Sequence, residues 1–103
     1  MKKIEFHMVF CIVNAGYSQV VMDAARSAGA RGGTVIHGRG TANPDAEEKF
    51  HIVVHPDKEI VMILVSSEIR DEVLREVNAA AGLDTAGQGI AYSMPVDRVI
   101  GIG

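Results

Sequence analysis

The chain has a single cysteine, Cys11, so no internal disulfide can form and nothing ties the protein to an oxidising compartment. Cys11 lies within an apolar run and reads as a buried core residue, not a nucleophile. No apolar run approaches the roughly 20 residues of a membrane span. The opening Met-Lys-Lys-Ile-Glu-Phe-His has the two lysines of a secretory leader, but Glu5 and His7 interrupt what would be its apolar core. Positive charge is also scarce. Lys and Arg number 10 against 13 Asp and Glu, a net charge of −3. That balance excludes broad, sequence-independent nucleic-acid binding, which needs a positive face. A local basic pocket stays open. The expectation is a soluble cytoplasmic protein with no nucleic-acid partner and no direct membrane insertion.

Catalytic and metal-binding signatures are missing as well. There is no Cys-x-x-Cys, no helical histidine pair, no Gly-x-Ser-x-Gly elbow and no Walker lysine. The histidines are His7, His37, His51 and His55. His51 and His55 read as one strand face and lie about 13 Å apart, too far to share an ion within one subunit. The carboxylates of Asp45, Glu47 and Glu48 read as a solvated loop. No enzyme is expected.

What is present suits one domain over residues 1–103. Hydrophobic residues make up 48% and charged residues 22%. A domain this small often gains stability by oligomerising. Residues 4–13 alternate into a strand that ends at Asn14-Ala15-Gly16. Ser18 can cap a helix that buries Val21, Ala24, Ala25 and Ala28 and stops at Gly29. A strand over residues 34–38 precedes a polar loop at about residues 39–49. Residues 50–54 and 59–65 read as strand, broken at His55-Pro56-Asp57. Residues 60–65 are apolar on both faces, the mark of a central strand. Ser66-Ser67 can cap a second helix that buries Ile69, Val73, Val77 and Ala80 or Ala81 and ends at Gly82. A short strand over residues 90–94 is broken by Pro95, and residues 99–102 form a last apolar piece. The order β-α-β-β-α-β defines an α+β, ferredoxin-like fold, a four-stranded antiparallel sheet with two helices on one face. The other face is apolar and uncovered, which predicts an oligomer.

Two glycine-bearing stretches remain. Residues 28–41 read Ala-Gly-Ala-Arg-Gly-Gly-Thr-Val-Ile-His-Gly-Arg-Gly-Thr, and residues 82–89 read Gly-Leu-Asp-Thr-Ala-Gly-Gln-Gly. Such loops present backbone N–H groups that can cradle an anion, and they equally serve helix caps and hairpins. Both readings stand at this point.

The chain resembles the P-II signal-transduction superfamily along nearly its whole length. The resemblance is carried by the opening Met-Lys-Lys-Ile, by Ala-Gly-Ala-Arg-Gly-Gly-Thr-Val, and by Gly38-Arg39-Gly40 at the root of the long loop. Lys58-Glu59-Ile60-Val61, Gly87-Gln88-Gly89-Ile90 and the closing Pro-Val-Asp-Arg-Val-Ile-Gly-Ile complete it. The resemblance implies a homotrimer in a nitrogen-regulation class of proteins. Such a trimer binds an adenine nucleotide between subunits and controls a partner, an enzyme or a membrane transporter, through a mobile T-loop. It places Gly33, Thr34 and Leu64 at the adenine, and Gly38, Arg39 and Gly40 at the T-loop root near phosphate. Gly87, Gln88 and Gly89 then match the phosphate-facing B-loop, and Lys58 an effector contact. The chain departs from the family pattern at Ile90, where a lysine is usual, and at Gly101 and Gly103, where two arginines are usual. The T-loop is short and lacks the modified tyrosine and the Mg-ATP glutamine. Fewer cations favour AMP or ADP over ATP. The alternative is a trimeric metal-binding or metal-tolerance protein of the same fold.

Overall fold

Alternating apolar side chains draw strand β1 (Phe6–Asn14) and strand β3 (Asp57–Ser66) into the centre of a sheet. The computed structural model describes residues 4–41, 56–85 and 88–102. Among these, α1 (Ser18–Ser27) and β2 (Thr34–Arg39) lie between β1 and β3, and α2 (Arg70–Ala81) and β4 (Gly89–Val96) follow β3. The four strands form one antiparallel sheet in the order β2-β3-β1-β4. This is the expected ferredoxin-like βαββαβ fold. The expected strand over residues 50–54 lies outside the described residues.

The two sheet faces differ sharply. On one face Val9, Cys11, Val13, Val61 and Ile63 are at most 1% exposed and pack with Val21 and Ala25 of α1 and Val73 and Val77 of α2. Burial raises the Cys11 thiol to about 11, so it stays protonated at neutral pH. On the other face the register sets Ile36, Ile60, Ile12 and Ile90 in one row and Thr34, Met62, Phe10 and Tyr92 in the next. Phe10 and Tyr92 stack with ring centroids 5.3 Å apart. No described helix covers this face, and Ile36, Ile90 and Tyr92 remain exposed on it.

Three local expectations are corrected. Ser18 does not cap α1: it is the first helical residue, the cap position is Tyr17, and no side chain of the cap residue bonds there. Ser66 and Ser67 do not cap α2, which starts at Arg70 after Ile69. Ser66 is instead the last residue of β3, paired with Phe6, and the Ser67 N–H donates to the Glu5 carbonyl. Pro95 does not break β4, which runs on to Val96. Among the described residues β4 is an edge strand that pairs with β1 alone, and its other side tolerates the missing N–H. Gly82 ends α2 as expected, in the left-handed conformation at φ 65°. Of the two candidate alanines near that end, Ala81 is the buried one.

Truncating the core has a stated cost. Ile63→Ala is expected to lower stability by about 2–5 kcal/mol, whereas Arg26→Ala on the exposed side of α1 should fall within about 0.5 kcal/mol. Urea unfolding followed by circular dichroism measures both.

Candidate functional site

Because neighbouring strands run in opposite directions, β1 and β2 finish at the sheet end where β3 and β4 begin. The last row of the open face there is Gly38, Lys58 and Asn14. Gln88 immediately precedes β4 at the same end. The root of the loop is closed by the Gly40 N–H, which donates to the Pro56 carbonyl at 2.7 Å. Asn14, Ala15, Tyr17, Pro56, Asp57 and Gln88 line a cavity of about 290 Å³ beside it.

Two adjacent residues of β3 hold this end together from opposite faces. Glu59 points to the helix side and is 8% exposed. Its Oε1 accepts the Gly16 N–H at 2.7 Å and the Ser18 N–H at 3.3 Å, so a β3 carboxylate caps the start of α1. His37 Nδ1 lies 3.9 Å from the other oxygen. The Gly16 N–H above all holds the Glu59 carboxyl below its ordinary value, with Ser18 and His37 adding to it and burial opposing. Lys58 points the other way, and its Nζ donates to Asn14 Oδ1 at 2.5 Å.

The expected site residues divide into two groups. Gly38, Arg39, Gly40 and Lys58 gather at the loop root, and Gln88 and Gly89 sit at the same end on the far edge of the sheet. Gly33 and Thr34 lie at the other end of β2, and Leu64 is half-buried on the open face of β3, paired with Met8. Gly87 lies outside the described residues, as does most of the loop at residues 39–49. Two of the glycines have packing reasons of their own. A Cβ at Gly33 would stand 2.9 Å from both Met22 Sδ and the Met62 carbonyl. Gly89 has φ +128°, and a Cβ there would lie 2.2 Å from the Ile12 carbonyl. Sequence reasoning missed Asn14, Gly16, His37 and Glu59. Glu59 was visible as an acid sharing the inward parity of Val61, Ile63 and Val65.

A second cavity, of about 680 Å³, lies at the opposite sheet end between Glu5, Phe6 and His7 of the β1 side and Asp97, Arg98 and Val99. There the Arg70 guanidinium is 3.3 Å from His7 Nε2 and 2.9 Å from the Asp71 carboxylate, which it holds below the usual carboxylate range. Among the described residues no three of His, Cys, Asp and Glu cluster as metal ligands; His51 and His55 lie outside them. No described helix is long and apolar enough to cross a membrane.

Among the described residues, helices cover one sheet face, an apolar face lies open on the other, and Gly38, Gly40 and Gly89 share one sheet end, an arrangement that agrees with the P-II resemblance. The family model for nitrogen regulatory protein P-II matches residues 1–102, and the chain belongs to that family. It is also similar in structure to Arabidopsis thaliana PII bound to citrate, with 26% identity and a TM-score of 0.72, covering 95% of this chain and 83% of that one. A Bacillus cereus protein related to NIF3 shares the fold at 16% identity and a TM-score of 0.72, covering 95% of this chain and 27% of that one. A search of curated proteins finds no match. P-II family proteins are regulatory, which agrees with the expectation that this one is not an enzyme.

The Glu59 cap makes stability depend on pH. Its folded pKa is lowered, so its stabilisation is present above the ordinary value of 4.5 and is lost as pH falls through the folded value. The wild-type melting temperature should therefore exceed that of Glu59→Gln at pH 7, and the gap should narrow as the pH is taken below the ordinary value of 4.5. Melting curves of both proteins across that range measure it.

Proposed function

We propose that this P-II family protein is a cytoplasmic homotrimer that senses a small molecule and regulates a partner through the loop at residues 39–49. The partner is an enzyme or a membrane transporter, in a nitrogen-regulation setting. The observation that carries the reading is the placement of the two glycine loops. Gly38 and Gly40 of the first and Gln88 and Gly89 of the second share one sheet end but stand on opposite edges, across the order β2-β3-β1-β4. Three strand spacings separate them by about 14 Å, too far for one phosphate group to touch both within a chain. A second copy packed against the bare apolar face brings the β2 edge of one subunit to the β4 edge of the next. A cleft between subunits then has N–H donors on both walls.

An adenine nucleotide suits such a cleft. Gly33, Thr34 and Leu64 would meet the base, and Gly38, Arg39, Gly40, Gly87, Gln88 and Gly89 the phosphates. Arg39 supplies a cation. Ile90, exposed at the start of β4, supplies none, nor do Gly101 and Gly103. Hydrogen bonds to charged groups contribute roughly 1.5–3 kcal/mol each, so their loss falls hardest on a triphosphate. AMP or ADP is therefore favoured over ATP. The citrate on the Arabidopsis protein supports a small carboxylate as effector, with Lys58 as its cationic contact.

Light scattering should give a trimer at micromolar concentration, and a stable monomer would remove the cleft. Titration calorimetry on the trimer should rank AMP and ADP above ATP without added metal, and the reverse order would refute the charge argument. Arg39→Ala should weaken nucleotide binding by about tenfold or more while leaving the melting temperature unchanged, because Arg39 lies at the exposed end of β2.

A further inference from the structure

Lys58 is half-buried, and among the described residues it forms no ion pair. Its ammonium rests on a neutral acceptor, Asn14 Oδ1, at 2.5 Å. Asn14 is itself buried, 8% exposed, as the last residue of β1. The stem of Lys58 lies across the loop root, where a Cβ at Gly40 would come within 3.0 Å of Lys58 Cε. Asn14 also lines the cavity of about 290 Å³, and so does the acid Asp57. A partly desolvated cation is thus held by an amide, beside a cavity whose own acid repels anions.

We propose that Asn14 is a positioning residue for ligand capture. It parks Lys58, and an oxyanion of the ligand, a carboxylate or a phosphoryl group, takes the ammonium from it. This rests on the reading of the loop root as the ligand site. The exchange is favourable because an ionised oxygen is a stronger acceptor for an ammonium than an amide oxygen is. It depends on the Lys58 cation, because the one charged residue lining the cavity itself is the acid Asp57. It also carries a signal: when the ammonium leaves Asn14, the Lys58 stem leaves its contact with Gly40, and the base of the loop changes with it. A neutral amide makes the parking reversible. An aspartate at the same place would hold the ammonium against the ligand.

Calorimetry with citrate and with ADP, on the assembled wild type, Asn14→Ala and Asn14→Asp, tests this. Each variant is measured again in a Lys58→Met background. Asn14→Asp should weaken the oxyanion by about tenfold, and Asn14→Ala should tighten it. Both effects should vanish without Lys58. Structural damage at a buried position would weaken binding in both variants, so opposite signs are the signature of positioning. If Asn14→Ala does not fold, Asn14→Ser takes its place with the same expected sign. Weakening by both substitutions, no change in either, or persistence of the effects without Lys58 overturns the proposal and leaves the ligand site standing. A wild type that binds neither citrate nor ADP overturns the site and the role of Asn14 together. Binding of one ligand alone identifies which oxyanion Lys58 receives.

Discussion

The pairing of β1 with β3, continuous from Phe6↔Ser66 to Asn14↔Lys58, sets the direction of every side chain that matters in this protein. A slip of one residue would exchange the faces of a strand. Val61 and Ile63 would leave the core, and Glu59 would turn away from the start of α1. The register is held because, among the described residues, only one face has helices to bury against. Valines, an isoleucine and Cys11 point towards α1 and α2, and the bulkier Met8, Phe10, Ile12 and Met62 point away.

That same register joins fold and site through two adjacent residues. Glu59 reaches from β3 to the N–H groups that begin α1, while Lys58 reaches along the open face to Asn14. One strand start therefore fixes the first helix and the root of the long loop at once.

Periodicity made most of the architecture legible. Alternation in β1 and β3, the stripes Val21-Ala24-Ala25 and Val73-Val77, and the left-handed Gly82 all follow from local spacing. What failed was also local in origin. Ser18 and Ser66-Ser67 have the composition of caps, yet the actual cap of α1 comes from Glu59, 41 residues beyond Ser18. No short window contains that pairing. Pro95 read as a strand end because sequence does not reveal which strand lies at the edge. Gly33 and Gly89 fit a ligand-loop pattern, and close packing against Met22 and Met62 in one case and Ile12 in the other already requires glycine. The pattern could not separate packing from recognition.

The two tyrosines occupy opposite parts of this arrangement, and the chain contains no tryptophan. Tyr92 stacks on Phe10 in the uncovered sheet face, and Tyr17 stands in the wall of the cavity beside the loop root. The ultraviolet emission of the chain is therefore dominated by phenolic rings at these two places. Substituting either tyrosine by phenylalanine leaves a single native fluorophore, one reporting on the covering of the sheet and the other on the filling of the cavity, with no dye attached.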